Sequence, residues 1–170
     1  MHDNEDDDDD LGLGAIDDGP DVRESAIYQK AIEIQTLAIA IVEAAPDELN
    51  NNSSTRAKFE ERMLMETKDE MMGHAYLIPG KIAGAYGLNM YDLQMENAAL
   101  VRRACRELVV CLRGLEIAGH LEEDHFNLLR TAVNEFQPLF AEWVATFQNS
   151  FYLWDDWGLF NPPGALPDTD

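Results

Sequence analysis

Between residues 63 and 145 the chain has two clear places where a helix must stop, and their spacing constrains the fold more than any other feature. A helical pattern reaches Leu77-Ile78-Pro79-Gly80-Lys81-Ile82-Ala83-Gly84-Ala85-Tyr86-Gly87. A second long pattern follows, ends at Ala118-Gly119-His120-Leu121, and gives way to a third. Long helical segments joined by short turns lie antiparallel, so this layout predicts a helical bundle. Pro79 lies inside its helix, where proline removes one backbone hydrogen bond and crowds the preceding turn. A bend is therefore predicted near Leu77.

The remaining helices complete an all-α, up-down antiparallel four-helix bundle. Helix 1 is predicted over residues 22–45, stopping before Pro46. Its apolar residues, among them Ile27, Ala31, Ile32, Ile34, Leu37, Ile39, Ile41 and Val42, cover nearly the whole circumference. Such a helix needs cover on more than one side, which predicts contact with another subunit. After a polar loop centred on residues 50–54, helix 2 is predicted over 55–86. Gly80 and Gly84 share one face and leave room for another backbone. Gly87 is read as its C-terminal cap and Asn89 as the N-cap of helix 3. Helix 3 is predicted to reach Ala118, with a core face of Ala104, Cys105, Leu108, Cys111, Leu112 and Leu115. Leu100, Val109, Val110 and Ile117 fall outside that stripe, again more apolar surface than one core needs. Helix 4 is predicted over 122–153, kinked at Pro138. Its apolar side is Phe126, Leu128, Leu129, Val133, Phe136, Leu139, Phe140, Trp143, Val144 and Phe147.

Charge divides the chain into three parts. Of 33 acids and 12 bases in 170 residues, ten acids and no base fall in residues 1–22, and four acids and no base in residues 151–170. Residues 1–20, with six consecutive acids from Glu5 to Asp10, are predicted to be a disordered leader. The leader is either a solubilising segment or an acidic arm that competes for a basic surface, on a partner or on its own fold. Residues 21–150 form the bundle, and 151–170 an aromatic and then flexible tail. No stretch approaches the roughly 20 apolar residues of a membrane span. The acidic start lacks the pattern of a secretory signal. Cys105 and Cys111, the two cysteines, are six apart on one helix, about 9 Å along its axis, and point apart. A reduced, cytoplasmic setting is expected.

Over residues 27–147 the chain resembles the four-helix bundle proteins encoded in intervening sequences of bacterial large-subunit ribosomal RNA genes. Tyr28-Gln29-Lys30-Ala31 is similar to that family's opening motif. Ile78-Pro79 and Ile82-Ala83 match its bend, where the usual pattern is Ser-Ile-Pro-x-Asn-Ile-Ala-Glu-Gly. Glu107-Leu108, Leu115, Ala118-Gly119 and Leu121 match its third helix and following turn. Lys81, Gly84 and Ala85 stand where the pattern has Asn, Glu and Gly, so a role resting on that Asn and Glu does not carry over. The resemblance implies a bundle that assembles into a ring, typically a pentamer. The related accessory proteins of diversity-generating retroelements share the architecture and use a basic surface to engage RNA and a reverse transcriptase. Neither group is known as enzymes.

Candidate site residues fall in two places. Four of the bases, Arg102, Arg103, Arg106 and Arg113, lie within twelve residues. Three of them, Arg102, Arg106 and Arg113, lie within about 40° of one another around the helix, opposite the core face. They form either a contact line for phosphate or an acidic partner, through paired guanidinium donors, or a solvated or interface-paired face. The net charge of −21 disfavours free RNA binding, although stripes aligned around a ring could still make a positive field. In the tail, Trp154, Trp157 and Phe160 either pack on the end of the bundle or anchor a docking peptide.

Catalysis has little support. A ferritin-like di-iron site needs two Glu-x-x-His pairs and two further glutamates. Glu122 and His125 supply one pair, Glu70 and His74 are four apart, and a second pair is missing. Cys105 and Cys111 sit among Leu and Val as apolar fillers. No phosphate-cradling loop or zinc spacing is present. The expectation is therefore a non-enzymatic, self-assembling scaffold or adaptor without cofactor or metal, with a nucleic-acid accessory role second and a metal-dependent protein third.

Overall fold

The computed structural model describes residues 21–46, 54–119 and 123–167. Within them a short 3-10 turn, Val22–Glu24, precedes four helices: α1 (Ala26–Ala44), α2 (Thr55–Tyr86), α3 (Tyr91–Ile117) and α4 (Glu123–Ala145). The expected leader and most of the expected polar loop lie outside the described residues.

The fold is an all-helical four-helix bundle. Contacts run round it, α1 to α2, α2 to α3, α3 to α4 and α4 back to α1, with none of comparable extent across a diagonal. Neighbours run antiparallel: Lys30 early in α1 meets Glu135 just past the middle of α4, and Glu116 at the end of α3 meets Arg130 in the first half of α4. The core is a continuous apolar column through all four helices. At its centre are Ile34, Met71, Ile78, Ile82, Leu108, Leu112, Phe126 and Leu129, each essentially without solvent exposure. All six residues assigned to the α3 core face are buried.

Local chemistry sets most boundaries. Ser25 accepts the Tyr28 N–H at the start of α1, so the helix begins four residues later than predicted, after the 3-10 turn. Ser54 accepts the Ala57 N–H at 3.2 Å and starts α2 as expected. Gly87 closes α2 with ordinary right-handed dihedrals, so its lack of a side chain is not what the cap uses. Gly119 differs: at φ 71° it turns the chain out of α3 in the left-handed region, where glycine is unstrained. Pro79 and Pro138 both lie inside uninterrupted helices.

Three expectations are corrected. Asn89 does not cap α3; Met90 holds that position, with no side-chain cap. The Tyr91 N–H is satisfied instead by the Phe151 carbonyl at 2.8 Å. Helix α4 ends at Ala145, eight residues early. Thr146 donates its hydroxyl back to the Trp143 carbonyl, and the polar Gln148-Asn149-Ser150 turn sends the chain back to α3. That reversal puts the Leu153 N–H on Asp92, a buried carboxylate, at 2.9 Å. Leu128, assigned to the apolar side of α4, is 60% exposed. It lies about 100° round the helix from Leu129 and off the stripe of Phe126, Leu129, Val133 and Phe136.

The spare apolar surface falls where expected on α3 but not on α1. On α1, Ile32, Leu37, Ile39 and Val42 are half-covered within the protomer, because α2 and α4 flank the helix on both sides. The exposed large side chains are Val109, Val110 and Ile117 on α3, as the stripe predicts, together with Phe59, Met63, Met65 and Tyr76 on α2, Leu128 on α4 and several in the C-terminal segment. Apart from the adjoining backbone of α2 itself, no atom of the described residues lies within 4 Å of where a Cβ on Gly80 or Gly84 would be. The close approach those glycines permit is not used inside the described chain.

Candidate functional site

The least extensive of the four helix–helix contacts is between α3 and α4. Along that seam lies a groove of about 590 Å³. Arg102, Cys105, Arg106 and Val109 line it from α3, and Val133, Asn134, Phe136, Gln137 and Phe140 from α4. Among the described residues its lining is mostly apolar and holds no acid, with Asn134, Gln137 and two guanidinium groups as its polar members.

The arginine stripe thus has a more specific setting than a face opposite the core. Arg102, Arg103, Arg106 and Arg113 are all exposed. Arg102, Arg103 and Arg106 make no hydrogen bond or ion pair with any described residue. Other bases are engaged: Lys30 bridges Glu33 and Glu135, Arg56 pairs with Glu60, and Arg130 binds both carboxylate oxygens of Glu116. The Arg130 hydrogen bond lowers the Glu116 carboxyl below its usual range, with the Arg113 charge adding to the effect. Arg113 is not among the groove's lining residues. The sequence held a signal for the groove: Val109 lies seven residues from Arg102, about 20° round the helix, so an apolar residue interrupts the basic stripe.

Cys105 in the floor is 8% exposed. Burial pushes its thiol up to about 12, so it is protonated near neutral pH and acts as a small apolar side chain. Cys111 is raised as well, by burial first and then by the Glu70 and Glu107 charges. Beside Phe140 the aromatics of α4 continue as a ladder that reaches Phe147, two residues beyond the helix. Phe136 to Phe140 spans 6.0 Å between centroids, Phe140 to Trp143 5.9 Å, and Trp143 to Phe147 4.8 Å edge-on.

The C-terminal segment combines both readings given to it. Its backbone is fixed to the end of the bundle through Tyr91 and Asp92, yet most of its apolar side chains face solvent. One carboxylate organises the loop. Asp155 accepts the N–H groups of Trp157 (3.0 Å), Leu159 (2.8 Å) and Phe160 (2.9 Å). Asn161 accepts the Asp155 N–H and donates its amide to the Asp155 carbonyl. The loop therefore has a defined backbone. Trp157 is 88% exposed, Leu159 72% and Trp154 38%, whereas Phe160 is half-buried. Of the three expected anchors, Trp157 is presented most fully and Phe160 least.

A second depression, of about 740 Å³, lies at the far end of the bundle. Phe59, Met63 and Leu64 of α2 line it, with Leu115 and Ile117 of α3. Among the described residues no group of three or more His, Cys, Asp or Glu side chains could hold a metal ion, and Glu122 of the Glu122/His125 pair lies outside them. No helix among them is long and apolar enough to cross a membrane. Comparison with family models, with curated proteins and with solved structures gave no match.

Proposed function

We propose that this chain is a non-enzymatic bundle protein that associates with copies of itself and serves as a scaffold or adaptor. The observation that carries the reading is the distribution of exposed apolar side chains. Phe59, Met63 and Ile117 cluster at one end of the bundle, and Trp157, Leu159 and Leu153 project at the other, each at least 45% exposed. Large apolar side chains gathered at two ends of a small bundle mark contact surfaces. A closed ring, pentameric as in the family it resembles, is the proposed assembly. The bacterial cytoplasm, where two free cysteines stay reduced, is the proposed setting. Size-exclusion chromatography with light scattering over a wide concentration range tests it. A discrete oligomer is expected; a monomer at the highest concentration overturns the reading.

A second reading is favoured by Arg102, Arg103 and Arg106, which have no partner among the described residues: an accessory role in which this surface engages RNA beside a reverse transcriptase. RNA binding at low and high salt, with Arg102, Arg106 and Arg113 changed to Ala, separates the two. Salt-sensitive binding lost in the triple variant supports the RNA role. Equal, negligible binding by parent and variant removes it.

A further inference from the structure

The groove and the C-terminal loop, at separate places on one protomer, are complementary. We propose that the loop of one copy seats in the α3–α4 groove of the next, with Trp157 entering against Val109 and Phe140 and Asp156 meeting Arg102 and Arg106. The inference rests on the self-association proposed above and names its contact.

Four observations carry it. First, the groove is mostly apolar, and among the described residues it has no acid in its lining and its two guanidinium groups have no partner. Second, the loop offers the converse. Its carboxylate Asp156 is exposed beside an exposed Trp157, and residues 151–170 contain no base. Asp155 is already occupied by three backbone N–H groups, so Asp156 is the acid free to face outward. Third, the loop is ordered before it binds. The Asp155 and Asn161 hydrogen bonds hold Trp157 and Leu159 out in solvent. Less conformational freedom is then lost on docking, which favours affinity. Tryptophan, moreover, is among the side chains that most often anchor an interface.

The fourth observation selects a second copy over the loop's own groove. The Tyr91–Phe151 and Asp92–Leu153 hydrogen bonds tie the segment to the first turn of α3. The groove begins ten residues along the same helix and extends to the seventeenth, about 15 to 26 Å away. Docking between copies leaves both hydrogen bonds intact, whereas docking within one copy strains or breaks them. A contact between two different surfaces is heterologous, so repetition closes a ring or builds an open chain.

Two full-length variants test the contact. The loop variant carries Trp157→Ala with Asp156→Ala; the groove variant carries Arg102→Glu with Arg106→Glu. All four positions are exposed, and unchanged helicity and thermal unfolding verify the fold. Each variant alone should associate at least about 30-fold more weakly than the parent. An equimolar mixture should form a one-to-one heterodimer and nothing larger, since it contains one competent loop and one competent groove. If either variant assembles like the parent, copies meet elsewhere; this inference falls and the scaffold reading survives. A monomeric parent overturns both. If deletion of residues 1–20 abolishes assembly while the loop variant keeps it, the acidic leader is the occupant and the assignment to the loop is overturned.

Discussion

Asp92 and Asp155 are both acids that accept backbone N–H groups of the C-terminal segment, yet they differ in what they hold. Asp92 is buried in the first turn of α3 and accepts a backbone N–H from sixty-one residues away. Asp155 is a surface residue that gathers three N–H groups from the five residues after it. Its carboxyl is held below the ordinary 3.8, first by Phe160 N–H and then by those of Trp157 and Leu159. The folded loop thus prefers the ionised acid more than an open loop does. Its stabilising effect is complete above about pH 4 and disappears as acid carries the pH down through the lowered value. The amides of Trp157, Leu159 and Phe160 should therefore lose hydrogen-exchange protection on acidification while core amides of α3 keep theirs. Asp155→Ala should show the same loss at neutral pH. Equal protection in that variant would remove Asp155 from its role as clamp.

At the scale of elements, glycines separate the effects of conformation from those of contact. Gly119 has a positive φ, so Gly119→Ala should destabilise the protein by about 1–2 kcal/mol in urea unfolding. Gly80 and Gly84 lie within α2 with open space where a Cβ would project. Alanine at either should stabilise an isolated protomer by about 0.5–1 kcal/mol. If a neighbouring copy uses that space, the same change should weaken assembly, which light scattering reads independently.

The elements also show why part of the fold is legible in the sequence. Helix α2 is bounded by Ser54 and Gly87, both of which act locally, and its predicted limits match those observed. The core stripe of α3 was likewise readable, because helical periodicity reports a face directly. The end of α4 was not. Residues 146–153 are compatible with helix by pattern, and what overrides the pattern is the demand of Tyr91 and Asp92 for partners from another part of the chain. The groove was legible only in part. The sequence contains the arginines and Val109, but how far α3 and α4 stand apart depends on how their side chains pack.

For the whole molecule, stability and assembly draw on different residues and should separate on mutation. Phe126 is 1% exposed at the centre of the column, and Phe126→Ala should cost about 3–5 kcal/mol in unfolding free energy. Ile117, 77% exposed, should change it by less than about 0.5 kcal/mol when replaced by Ser, while reducing association if that end of the bundle is a contact. A large loss of monomer stability in Ile117→Ser would show that the side chain is needed inside the protomer.

The bond between Leu153 and Asp92 has a consequence for synthesis. A ribosome makes the beginning of α3 well before the segment that completes its first turn, so a nascent chain halted at residue 150 has the entire rod but lacks the piece that seals it. Truncation there should leave Asp92 without the N–H it accepts and a frayed start to the third helix. The final stretch is thus a closure for the bundle as well as the bearer of its most exposed tryptophan.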